Sequence, residues 1–198
     1  MEALEREYGT EYVCYLNHEN ALQLLIATML SAQCTDARVN IVTESLFKKY
    51  ITAQDFANAD LKELEQEIHS TGFYHNKAKN IISCCKQLVE KYDGEVPNDL
   101  EALTSLAGVG RKTANVLLNV WWNEPTVAVD THVLRLAQRL DLSDGKTPLE
   151  VEADLNKLPD EYRRHVNHWL VLFGRYICKA KNPICDQCPV SKFCRVAK

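Results

Sequence analysis

The stretch LAGVGRKTANVLLNVWWNEPTVAVDTH, residues 106–132, follows a Gly-x-Gly turn with an arginine and then a lysine, and ends a largely apolar run on an aspartate. Lys112 is cationic at neutral pH. Stripped of its proton, a lysine amine can attack the anomeric carbon of a nucleoside and expel the base, and the adduct opens to a Schiff base that makes β-elimination of the 3′ phosphate accessible. Protonated, the same side chain simply pairs with a phosphate. Asp130 precedes THVLRLAQRL, where aspartate is a preferred helix cap. Its carboxylate can also steady positive charge developing on a sugar and help move a proton. His132, two residues on, offers a ligand or base, though a structural histidine is the simpler reading.

Gly108 and Gly110 flank one small apolar residue between two helical segments. Glycine tolerates a positive φ and lets another backbone approach closely. The N–H groups beside a helix start then favour an anion, and a DNA phosphate suits such a site without any reading of base sequence. A plain turn between packed helices is the simpler alternative. Arg111 and Lys112, which follow at once, weigh toward the phosphate.

Four of the eight cysteines fall within seventeen residues: Cys178, Cys185, Cys188 and Cys194, a C-x6-C-x2-C-x5-C pattern. Pro183 and Pro189 prevent a continuous helix there, so the segment must wrap around something. Four thiolates suit zinc or an iron–sulfur cluster, and a single C-x2-C knuckle with two outlying cysteines fits a compact loop around one cubane better than a zinc ribbon. Lys179 and Lys181 lie between the cysteines and would face a phosphate backbone. Cys14, Cys34, Cys84 and Cys85 are scattered and read as small buried side chains.

These groups must be carried by helices, because apolar spacing is helical almost throughout. ALQLLIATMLSAQ (21–33) is apolar all round and predicts a central buried helix, while 36–49 and 60–69 predict amphipathic ones. Ala78, Ile81, Ile82, Cys85, Leu88, Val89 and Tyr92 form one stripe, closed by Asp93-Gly94. Asp99 is a plausible cap for a short helix through Ser105, and Val133, Leu136, Ala137 and Leu140 form a further stripe. Asp160 is placed to cap a long helix toward Cys178. Only PTVAVD (125–130) suggests extension, too short and isolated for a sheet, so the class is all-α, with a boundary expected at Asn123-Glu124-Pro125.

With 46% hydrophobic and 25% charged residues among 198, the chain is globular rather than disordered. Its net charge of −4 does not announce a nucleic-acid binder, yet the charge is uneven. Residues 1–70 carry the acidic excess, whereas Arg175, Lys179, Lys181, Lys192, Arg195 and Lys198 face one anion, Asp186, after residue 174. A local basic patch can still meet a polyanion. The N-terminus MEALEREYGTEY has no secretory pattern and no stretch is apolar over a membrane's width, so a cytoplasmic protein with no membrane contact is expected, and disulfides are not.

Taken together, LSAQCTD (30–36), GFYHNKAKNI (72–81), GEVP (94–97), the glycine hairpin with Lys112, VAVDTH (127–132), HWLVLFGRYIC (168–178) and the cysteine pattern resemble the endonuclease III family of helix-hairpin-helix DNA glycosylases, over about residues 18–194. The resemblance implies a bifunctional N-glycosylase and apurinic/apyrimidinic lyase in base excision repair, acting on oxidised pyrimidines and abasic sites in duplex DNA. It implies Lys112 as nucleophile, Asp130 as catalytic aspartate and Cys178, Cys185, Cys188 and Cys194 as ligands of a 4Fe–4S cluster. The implied fold has two helical domains flanking a DNA-binding cleft. Residues 15–124 would form a six-helix barrel with the hairpin, and 1–14 plus 125–198 the cluster domain. The damaged nucleotide would be turned out of the stack into that cleft. Gln33 matches a residue that fills the vacated space, and Gly108, Gly110, Arg111, Lys179 and Lys181 would contact DNA. A monomer in a prokaryotic cytoplasm is expected. Two positions depart from the family pattern: Ala107 stands where proline is common, and Phe73 where leucine often serves as a wedge between bases.

Overall fold

The computed structural model describes residues 1–11 and 14–196; Lys198 of the basic tail lies outside the described residues. The contacts divide the chain into two units, one of residues 14–122 and one of 1–13 with 123–198. Among the described residues every regular element is helical, and no helix is long and apolar enough to cross a membrane.

In the first unit, α2 (Ala21–Leu30) is the central helix, buried at every position from Leu24 to Leu30. Asn20 starts it by accepting the Gln23 N–H at 2.9 Å. Around it lie α3 (Asp36–Lys49), α4 (Ala53–Ala57), α5 (Leu61–Glu67), α6 (Tyr74–Tyr92), α7 (Leu100–Thr104) and α8 (Arg111–Trp122). The expected helix over 60–69 instead ends at Glu67 and tightens into a 3-10 turn, His69–Thr71, before Gly72 at φ 71°. Leu25, Phe56, Leu64, Ile81, Leu88 and Leu117 close the core. Each such side chain, fully withdrawn from water, contributes about 1.5–3 kcal/mol.

The second unit holds α1 (Glu2–Tyr8), α9 (Thr131–Arg139), α10 (Pro148–Leu155) and α11 (Asp160–Tyr176). Trp169 is fully buried at its centre, and its indole N–H donates to the Gly9 carbonyl at 2.7 Å, which pins the N-terminal helix. Residues 125–130 form neither helix nor strand, and Val127 and Val129 reach into this core. Asp160 does not cap α11. Pro159 occupies the cap position, with no side-chain bond, and Asp160 sits in the first turn paired with Arg163. Its charge there still complements the helix dipole.

Candidate active site and cysteine loop

The hairpin is built from both ends. Asp99 caps α7 by accepting the Ala102 N–H at 2.7 Å, and the chain then bends through residues 105–110 into α8. Leu106 and Val109 are buried and anchor the bend, which leaves Gly108 and Gly110 exposed. The two glycines are required for different reasons. Gly108 has φ 75°, and a Cβ there would lie 2.7 Å from the Asn80 Cβ of α6. Gly110 has neither constraint; a Cβ would meet open space, so what it leaves accessible is backbone. Arg111 and Lys112 follow as the first two residues of α8, both exposed, while Ala114, Asn115, Leu117 and Leu118 face inward. No acidic residue stands in the first turn of α8 to repel an anion from this helix start.

Gln33 and Phe73 belong to the same unit, and both take the left-handed backbone conformation, with φ 54° and 50°. Gln33 lies in the bend after α2, and Phe73 is the residue before α6. Phe73 is 63% exposed, so it is not a core residue. A bulky side chain held at positive φ costs about 1–3 kcal/mol, and such strain gathers at functional sites.

Asp130 is in the other unit. It does cap α9, accepting the His132 and Val133 N–H groups at 2.8 Å each. Both bonds fall on Oδ1, so the cap fixes the carboxylate plane while using one oxygen. His132 packs against Gly174, where a Cβ would come within 2.8 Å of its Nδ1, and it meets Arg135 at 3.2 Å.

All four cysteines of the C-terminal segment line a single cavity, together with apolar Leu140, Phe173, Ile177, Pro183 and Ile184. Cys178, Cys194 and Cys185 each oppose ionisation of Cys188, whose thiol is pushed up first of all by burial. Four thiolates can therefore share this space only around a positive centre. Among the described residues no three potential ligands converge on a one-ion site; the four thiols instead line one cavity. Backbone N–H groups of Val190 and Val196 donate to the Cys188 and Cys194 sulfurs, the kind of hydrogen bond that tunes an iron–sulfur cluster.

Two arginines that the sequence presented only as part of an amphipathic helix hold this loop. Arg135 Nη2 donates to the carbonyls of Gly174 and Cys178, both at 3.1 Å. Arg139 Nη1 donates to Cys178 Sγ at 3.2 Å and the Lys179 carbonyl at 3.0 Å. Their spacing of one helical turn was the available signal. Lys179 and Lys181 are left exposed on the loop.

The model of the HhH-GPD superfamily of base excision DNA repair proteins matches residues 26–160, and that of the iron–sulfur binding domain of endonuclease III matches residues 178–194. An endonuclease III of Bacillus subtilis is 50% identical over 184 residues, covering 92% of this chain and 84% of its own. One of Rickettsia conorii is 49% identical over 180 residues, 90% of this chain and 86% of its own. A solved structure of a trapped endonuclease III–DNA covalent intermediate superposes with a TM-score of 0.92 at 47% identity, covering 98% of this chain and 92% of that one. A thermostable thymine-DNA glycosylase, 20% identical, shares the fold at a TM-score of 0.87, covering 99% of this chain and 94% of its own.

Proposed function

The chain belongs to the endonuclease III family within the HhH-GPD superfamily of base excision DNA repair proteins, and from that premise we propose which residues do which part of the work. It is a DNA glycosylase with apurinic/apyrimidinic lyase activity, and its cofactor is a 4Fe–4S cluster. We infer that its substrates are oxidised pyrimidines and abasic sites in duplex DNA.

The Lys112 amine, once neutral, attacks C1′ of the damaged nucleotide; the N-glycosidic bond breaks and the base departs with its electron pair and a proton. The adduct opens to a Schiff base. Loss of a C2′ proton then drives out the 3′ phosphate by cleavage of the C3′–O bond, and water releases the enzyme. Asp130 steadies the positive charge developing on the sugar and takes the proton that the attacking amine sheds. Its capping bonds hold the carboxylate in one orientation for that work. Backbone N–H groups at Gly108 and Gly110, with Arg111, take a phosphate; Phe73 enters the stack and Gln33 fills the space of the extruded nucleotide.

Cys178, Cys185, Cys188 and Cys194 would hold the cluster. When bound, it supplies iron–thiolate bonds that cross-link the loop and keep Lys179 and Lys181 against a phosphate backbone. The protein acts as a monomer in the bacterial cytoplasm, in association with DNA.

The observation that supports this most is Lys112 itself: an exposed amine at the second residue of α8, separated only by Arg111 from an open glycine backbone suited to a phosphate. The test is a panel of duplexes containing an oxidised pyrimidine, an abasic site or neither. The expected result is base release coupled to strand cleavage on the 3′ side at the first two, and no reaction at the third. Base release with the strand left intact would overturn the lyase steps.

A further inference from the structure

Lys77 is the one lysine or arginine that is buried among the described residues, 7% exposed on the inner face of α6. Among the described residues no carboxylate is paired with it. Its ammonium instead donates to two backbone carbonyls, Leu30 at 2.7 Å and Thr71 at 2.9 Å. Burial holds it below the ordinary lysine range, so keeping a cation here carries a cost that packing alone would not choose.

The two acceptors say what that cost secures. Leu30 is the last residue of α2, whose final carbonyls are orphaned by the end of the helix and carry the negative end of its dipole. The bend that follows carries Gln33. Thr71 is the last residue of the 3-10 turn, and Gly72 and Phe73 come next. The bond to Leu30 spans 47 residues of sequence, and the same nitrogen closes a loop of six residues back to Thr71. One ammonium thus joins the backbone just ahead of Gln33 to the backbone just ahead of Phe73. Both of those residues are exposed and both are left-handed, an arrangement that needs rigid support on the chain behind it.

We propose that Lys77 is a positioning residue for DNA: a buried clip that sets the spacing between Gln33 and Phe73, so that the residue filling the vacated space and the residue wedging the stack enter the duplex together. This rests on the DNA roles proposed above for those two residues. Lys77 does not touch the substrate, and its effect passes wholly through them.

The test is binding to a duplex carrying a stable abasic analogue, with 2-aminopurine beside the lesion to report unstacking, by Lys77→Met and Lys77→Gln. Methionine keeps the stem and removes the donors; glutamine keeps a shorter donor, and whichever variant folds serves. Expected are an affinity about tenfold weaker and, at saturating protein, a reduced fluorescence rise. In a Gln33→Ala/Phe73→Ala background the same substitution should cost no more than about twofold, because residues acting through one another are not additive. An equal loss in both backgrounds, or a full fluorescence rise at saturation, makes Lys77 an ordinary packing residue and overturns the proposal. Wild-type affinity and unstacking in Gln33→Ala/Phe73→Ala alone would overturn the DNA roles of those residues, and the clip with them.

Discussion

Gln87 Oε1 accepts the backbone N–H of Ala107 at 2.7 Å, and Gln87 Nε2 lies 3.5 Å from the carbonyl of Ser105, so one side chain of α6 grips both sides of the bend leading into the glycine hairpin. A proline at 107, common in the family, would stiffen the bend covalently but has no N–H to give. Here the stiffness comes from a neighbouring helix. Gln87→Ala should cost about 1 kcal/mol of stability. In an Ala107→Pro background it should cost far less, since the principal donor is already gone. Urea denaturation of the four proteins measures the coupling, and simple additivity would mean that the Gln87–Ala107 bond contributes nothing.

Phe73 makes stability and function pull apart. Replacing it with glycine removes a side chain from a left-handed backbone site, and the folded protein should gain about 1 kcal/mol. Affinity for lesion-containing duplex should fall at the same time, by about tenfold, if one aromatic stacking contact of about 1–3 kcal/mol is lost. Thermal melts and DNA titrations on Phe73→Gly check both signs. A variant that is less stable and binds as before would place Phe73 among ordinary packing residues.

What the sequence made legible was periodic or capped. The helix Asp36–Lys49 ends where its pattern ends, and Asp99 caps α7 as its type and place suggest. Two short helices escaped notice although each begins with a capping box, Thr52 with Asp55 and Thr147 with Glu150. At five and eight residues they are too short for a periodic stripe to emerge. Left-handed Gln33 and Phe73 were invisible for a different reason: neither residue type prefers that conformation, and only the surrounding structure imposes it. Lys77 was within reach. It stands four residues before Ile81, on the apolar stripe, where a charged residue conflicts with the pattern and signals a buried partner.

Asp130 can be divided into cap and charge. Asn is as good a cap as Asp, so Asp130→Asn should alter stability by only about 0.5 kcal/mol, whereas Asp130→Ala should cost about 1 kcal/mol. Both should slow turnover on lesion DNA by about a hundredfold or more, because a positioned proton acceptor is typically worth that much. Chemical denaturation and single-turnover kinetics separate the two effects. Turnover by Asp130→Asn at the wild-type rate would reduce Asp130 to its capping role.

His165 and His168 lie one turn apart on α11, and burial pushes both imidazoles below the ordinary value of 6.5; at His165 an opposing pull from Glu5 comes next, ahead of a smaller lowering by Arg164, and His168 is further lowered by His165. The unfolded chain therefore binds protons that the folded chain refuses. The contribution of these neutral histidines is complete above pH 6.5 and declines as pH falls below it toward the depressed native values. Thermal midpoints taken from pH 7.5 to 5 should fall, and His168→Gln should flatten that fall. An unchanged slope in the variant would rule out His168 as a source.

The most direct measurement is reductive trapping. Purified protein is incubated with duplex containing an abasic site in the presence of borohydride, which reduces any imine to a stable amine, and the linked peptide is sequenced by mass spectrometry. The expected product is a covalent protein–DNA adduct on Lys112 that is absent from Lys112→Ala, with Asp130→Asn still binding the duplex. An adduct that persists undiminished in Lys112→Ala, or that maps to another amine in the native chain, would contradict Lys112 as the nucleophile.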